Sequence, residues 1–377
     1  SYSNRRGTDR GVLGEVGFGG RSSATTLIAT SAVTYLKRES KLPPEAQKLL
    51  SFTDNRQDAS LQAGHFNDFV QIALVRGSLY AAVAKAGAVG LEYRDLPQRI
   101  FEAFEAGLPA GEAFKLFAQQ PDAQYAAKKN TERAMRDVLT YRLFLDMKRG
   151  WRISMPNLEQ CGLLNVEFES LEDICNNDAD WQGTHQSLVA APGKQRFDVA
   201  RTLLNYLRRE LAIGVDCLNE QWQEAIKRES SQWLTEGWRI DLDEETFASK
   251  LAYPRPKNSD PKKNDDRSND VFLSARGAIG KFLRRPTSLA AGLSLEDAQR
   301  IIQDICKVLT RTNLVQVGDE DSPAYQLNAS TLRWIAGDGT KAFHCPLRVP
   351  RAPAVGLRPN QYFVDFYRTA ATNVAGM

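Results

Sequence analysis

SFTDNRQDASLQAGHFNDF, Ser51 to Phe69, decides how the chain is read. The apolar run Lys48-Leu49-Leu50-Ser51-Phe52-Thr53 breaks off at the polar cluster TDNRQD. From Gln57 to about Ala86, apolar residues recur at helical spacing, beginning Ala59, Leu61, Ala63, Phe66, Phe69, Val70, Ile72 and Ala73. A short apolar run, a polar joint and a long helix make a strand–loop–helix unit of the α/β type, with the strand buried in a parallel sheet. In such sheets ligands meet the loops at the carboxyl ends of the strands. Thr53 offers a hydroxyl, Asn55 and Gln57 amides, and Arg56 a guanidinium fork, a set suited to phosphate or ribose. The start of the following helix adds backbone donors. The same cluster also suits a capping role, with Asp54 or Asp58 on the helix end and Arg56 paired to a carboxylate. Side-chain chemistry alone leaves both readings open.

Working outward, the 377 residues are 42% hydrophobic and 25% charged, which is globular and long enough for two or three domains. The net charge of +3 is too mild to imply nucleic-acid binding by itself. Cys161, Cys175, Cys217, Cys306 and Cys345 form no CxxC pair and no zinc-ribbon spacing, so reduced, buried thiols in a cytoplasmic protein are expected. His344-Cys345 is an isolated pair, and no metal site is expected. The sequence reads as lacking an apolar run of the ~20 residues a membrane span needs, and no membrane partner is expected. The first residue is not Met and the last five are the apolar NVAGM, so an internal fragment of a longer protein is expected.

Residues 1–44 are a glycine-rich, basic lead-in followed by a helix over Ala24–Arg38. Residues 45–86 hold the strand–loop–helix unit. Residues 87–253 are mainly amphipathic helices, with one strand expected at Leu164–Phe168. Residues 254–270, PRPKNSDPKKNDDRSND, are a polar linker that cannot bury a core and is expected to be disordered. Residues 271–340 contain a helix at Ala275–Arg284 and a second at Leu295–Thr310, opened by Ser294 with Asp297 near its third position. Two extended runs around GDEDSP follow, and helix, helix, hairpin is the order of a winged-helix unit. Residues 341–377 end in a helix at Asn360–Val374.

Most motifs of self-contained catalysis are missing. Gly17-Phe18-Gly19-Gly20-Arg21 lacks the lysine and hydroxyl of a P-loop and reads as a linker with one candidate cofactor contact, Arg21. Gly277-Ala278-Ile279-Gly280-Lys281-Phe282 imitates the end of a Walker A motif, but its spacing is too short and Phe282 stands where a hydroxyl is needed. No GxSxG or HExxH occurs, and no DExx box preceded by an apolar strand. Lys148, Arg149, Trp151 and Arg152 combine cations with an aromatic, as single-strand binding surfaces do. Arg208-Arg209, Arg284-Arg285 and Arg311 are weaker basic clusters, each readable as a solvated face.

KLLSFTDNRQDASLQAGHF resembles the first strand and motif IV region of the second RecA-like lobe of superfamily 2 DEAD/DEAH-box helicases, most closely the large bacterial type with a zinc-binding C-terminal domain. An FSDSRQDA-like segment occupies that place in them; here it reads Phe52-Thr53-Asp54-Asn55-Arg56-Gln57-Asp58-Ala59. WRISMPNLEQCGLLNVEFESL, RRELAI and LRWIAGDGT also look like segments of these proteins. The Walker A, the DEAH box and the QxxGRxGR arginine-finger motif are absent from this sequence. The resemblance implies a mixed α/β, mostly α chain: a partial RecA-like lobe with a large helical insertion and a winged-helix-like unit. It implies a parent that translocates on or unwinds nucleic acid, DNA being the expected substrate, with ATP and Mg bound outside this chain. The remaining helicase domains would be its partners. Thr53, Asn55, Arg56 and Gln57 become expected backbone contacts. The alternative is a non-enzymatic helical and winged-helix module that scaffolds or binds DNA.

Overall fold

The first two helices are α1 (Arg21–Arg38) and α2 (Arg56–Ala86). A short strand β1 (Leu91–Glu92) leads to α3 (Leu96–Ala106), α4 (Glu112–Phe117) and α5 (Tyr125–Asp146). Next come β2 (Leu164–Phe168), α6 (Leu171–Asn176), α7 (Gln186–Val189), α8 (Gly193–Arg209), β3 (Ile213–Gly214) and α9 (Glu220–Trp233). The last third holds β4 (Ala252–Tyr253), β5 (Val271–Phe272), α10 (Ala278–Leu283), α11 (Leu295–Arg311), β6 (Val315–Asp319), β7 (Ala324–Asn328), β8 (Leu332–Ala336) and α12 (Gln361–Thr372). These come from a computed structural model that describes residues 21–39, 42–49, 56–108, 111–148, 155–257, 270–319, 323–348 and 356–372. The chain is mixed α/β and mostly α.

α2 is long because its apolar residues hold one stripe: Phe69, Ile72, Ala73, Leu79 and Val83 are buried at spacings of three, four and seven. Phe66–Val89 is long and apolar enough to cross a membrane by length and composition, which corrects the reading that no such run exists. In this fold the stripe lies in the core against α3 and α12. Arg76, 1% exposed, interrupts it. Its Nε and Nη2 donate to Asp146 of α5, and its Nη1 to the carbonyls of Met155 and Pro156 and the Tyr367 hydroxyl of α12. Burial alone would lower its pKa; the charges and hydrogen bonds of Asp146 and Tyr367 outweigh that and hold it firmly protonated. One charged side chain thus fastens two helices and a loop to α2. Close by, Gly77 lets α12 approach: a Cβ there would lie 2.9 Å from both the backbone carbon and the Cβ of Ala370.

The two sheets are built from distant segments. β8 lies between β1 and β2, antiparallel to both. β7 pairs antiparallel with β6 along one edge; along the other it meets β4 near its start and β3, parallel, near its end. Strands from residues 271–340 therefore complete sheets begun in residues 87–253, and the polar segment between them does not divide two bodies. β2 and the β6–β7 hairpin fall where the alternation predicts them, and α11 opens on the Ser294–Asp297 capping box. α10 starts three residues later than expected. The chain folds back there, Gly277 N donating to the Ser274 carbonyl and hydroxyl, and Gly280 packs on the Ala275 backbone. Of the strand expected at Lys48–Thr53, Lys48 and Leu49 are exposed and outside any strand. The rest of it lies outside the described residues.

Candidate functional site

α8 presents two faces. Val199, Leu203, Leu204 and Leu207 enter the core. Another face repeats Asp198, Arg201, Thr202, Asn205, Tyr206 and Arg209 at spacings of three and four, and forms one wall of a cleft of about 660 Å³. The other wall is the irregular run Lys341–Arg348, with Phe282 and Arg285 from α10 and the turn after it. Hydrogen bonds fix this run. Phe343 N donates to the Glu159 carbonyl at 2.9 Å, Ala342 N to the Leu357 carbonyl at 2.9 Å, and Arg285 Nη1 to the Pro346 carbonyl at 2.6 Å. Gly162, at φ +67°, permits the approach, because a Cβ there would run into the Lys341 carbonyl.

The lining carries Arg201, Arg209, Arg285, Lys341 and Arg348 against two carboxylates, Asp198 and Glu210. A concave surface with this imbalance concentrates positive potential although the whole chain is nearly neutral. Phe343 and Tyr206 stand among the cations.

Two adjacent arginines show how differently the fold treats charge. Arg208 is 0% exposed and forms a bidentate pair with Glu159, Nη1–Oε2 2.9 Å and Nη2–Oε1 2.7 Å, with Asn205 Oδ1 at 2.8 Å. Burial pushes the Glu159 carboxyl up, but the attraction of Arg208, with Arg209 and Arg201 behind it, holds it below the usual range. Arg208 is thus a core clamp, which overturns its reading as a solvated face. Arg209 points into the cleft, its guanidinium 5.2 Å from the Phe343 ring centroid. Its Nε is buried without a hydrogen-bond partner among the described residues. Burial lowers its pKa; Glu159 opposes this, but Arg208 and Arg348 add to it and the shift stays downward.

Thr53, Asn55, Arg149, Trp151 and Arg152 are outside the described residues. Arg56 and Gln57 are the first residues of α2, and Arg21 is the first of α1; their side chains are likewise outside the description. Lys148 does not line the cleft: its Nζ sits 3.5 Å from the Phe247 ring centroid, and burial, with Lys250 nearby, lowers its pKa. Of the weaker clusters, Arg285 joins the cleft, while Arg311 fastens the chain by donating to the Asp180 carbonyl at 2.6 Å. Arg311 also borders a shallower groove with Arg300 and Lys307. There the buried Asp304 faces Arg300 at 3.1 Å and Lys307 at 3.7 Å, so their charge is answered from within. His344 and Cys345 line the cleft, but among the described residues no group of His, Cys, Asp or Glu could hold a metal ion. Sequence pattern missed the cleft because its walls come from segments far apart in the chain, α8 on one side and Phe282, Arg285 and Lys341–Arg348 on the other; the polar stripe on α8 was the one local signal. Compared with protein-family models, curated proteins and solved structures, the chain gives no match.

Proposed function

We propose that this chain is an internal part of a superfamily 2 DEAD/DEAH-box helicase that contributes nucleic-acid contacts and no ATP site. Two things support the reading: the resemblance of Phe52–Ala59 to motif IV, and the cationic cleft between α8 and Lys341–Arg348. The cleft carries most weight, because cations beside aromatic side chains in a concave site suit a phosphodiester backbone. On this reading α2 and α12 belong to a RecA-like lobe, residues 87–253 are its insertion, and α10, α11 and the β6–β7 hairpin form a winged-helix-like unit. DNA is the expected nucleic acid, the parent's other domains are the partners, and the setting is cytoplasmic.

ATP and Mg belong to the parent. The Walker-like stretch does not fit them: the amide of Gly277 is taken by Ser274, and Gly280 is packed on Ala275, so no open amide loop is left for a phosphate. The second reading, a non-enzymatic interaction module, draws on α1, where Ile28 and Tyr35 are 71% and 70% exposed.

Fluorescence anisotropy with labelled dT20, and U20 in parallel, separates the two. A nucleic-acid part binds, and weakens roughly 7- to 50-fold between 50 and 200 mM salt for two to four phosphate contacts at a slope of about 0.7 each. It shows no ATP turnover above background. An absence of binding at 50 mM salt defeats the proposal in favour of the interaction module.

A further inference from the structure

We infer, resting on that nucleic-acid reading, that the cleft seats a single strand with one backbone phosphate on Arg209 and its neighbour Arg348. The argument starts from an imbalance. A guanidinium removed from water without a counter-charge is costly, and folds answer such groups with a carboxylate or a hydrogen-bond acceptor. Arg76, Arg196 and Arg208 are all answered in that way, by Asp146, Asp178 and Glu159. Arg209 is not: its guanidinium has no ion pair or hydrogen bond among the described residues, its Nε is buried as that of Arg208 is, and although Glu159 eases its field, Arg208 and Arg348 worsen it. An anion in the cleft supplies the missing acceptor.

Size and shape select the anion. About 660 Å³ holds one or two nucleotides, and a duplex is far too wide to enter. Phe343 of the facing wall, under Arg209, and Tyr206 of the α8 wall give π-faces beside the phosphate position, the pairing that single strands use and a free phosphate does not need.

The cleft carries its own reporter. Cys345 lines it and is half-buried, whereas Cys161, Cys175, Cys217 and Cys306 are buried. The whole chain is treated with N-ethylmaleimide, with and without dT20, a duplex of the same length, or pyrophosphate, and Cys345 modification is followed by mass spectrometry. Anisotropy gives the affinities in parallel. The inference expects dT20 to protect Cys345 and to bind more tightly than duplex. R209A should weaken binding roughly tenfold and lower the salt slope by about 0.7. R348A, at an exposed position, should act in the same direction, which keeps the test open if R209A does not fold. If dT20 binds while both variants and Cys345 labelling stay unchanged, the strand lies elsewhere: the inference fails and the helicase reading stands. If pyrophosphate protects Cys345 and dT20 does not bind, the cleft is an anion site only, and both the strand assignment and the nucleic-acid reading fail.

Discussion

Removing the Glu159 carboxylate tests how the cleft wall is supported. Glu159 is 3% exposed and Arg208 0%, and two short bonds join them. Glu159→Ala leaves a buried guanidinium with only Asn205 to answer it. Such orphaning costs about 3–5 kcal/mol, a large share of the 5–15 kcal/mol that holds a typical protein folded. The double variant E159L/R208M removes both charges and keeps the volume, so it should cost clearly less than E159A alone. Urea unfolding of the three proteins at pH 7 measures this. The pH profile gives a second check. The Glu159 carboxyl is held below its ordinary range, so its contribution is complete above about pH 4.3, the unfolded value, and is lost as pH falls through the lower folded value. The gap between wild type and Glu159→Gln should therefore be full at pH 7 and shrink below about pH 4. A cost below about 1 kcal/mol for E159A, or a double variant at least as damaged as E159A, refutes the clamp.

Burial, with Glu229 adding to it, pushes Asp137 on α5 up to about 6. Raising a carboxyl from 3.8 to about 6 costs about 3 kcal/mol at neutral pH, reduced to roughly 1–2 kcal/mol by the group's partial contact with water. Asp137→Asn should thus stabilise the fold by that amount at pH 7–8 in thermal melts, and the gain should start to shrink as pH drops through about 6, where the folded carboxyl protonates, and be gone below about pH 3.8, the unfolded value. Gly77→Ala sets an improved helix propensity of about 1 kcal/mol against overpacking of about 1–3 kcal/mol where the new Cβ meets Ala370. The variant should melt below wild type, and a melting temperature at or above wild type would show that α12 yields.

Local features were the readable ones. The Ser294–Asp297 cap, the alternation in Leu164–Phe168, the hairpin around GDEDSP and the helix of residues 361–372 each rest on spacings of two to four residues. What could not be read depends on remote partners. Arg76 within an apolar stripe gives no sign that Asp146 and Tyr367 await it. Arg208 and Arg209 are identical neighbours in RRELAI, and only the arrival of Glu159 from one side and Phe343 from the other makes one a clamp and its neighbour a cleft residue. Nor does any local pattern in LRWIAGDGT announce that β8 lies between β1 and β2. The strand–loop part of the opening stretch, Ser51–Asn55, lies outside the described residues, so its two readings differ by a measurement on Arg56 rather than by geometry.

The parallel pairing of β4 with β5 has a practical side. Ala252 lies opposite Val271, and Leu251 N donates to Asp270 Oδ1. The polar segment 254–270 therefore leaves and rejoins the protein at one sheet edge: β4 and β5 lie one strand spacing apart, some 4.8 Å, and their parallel direction sets the segment's two ends a few residues apart along them. A protease cut there yields two pieces that β7 still stitches together, since it holds β3 and β4 from one piece and β6 from the other. The same geometry makes this the natural place to splice in a foreign domain whose own termini lie close together.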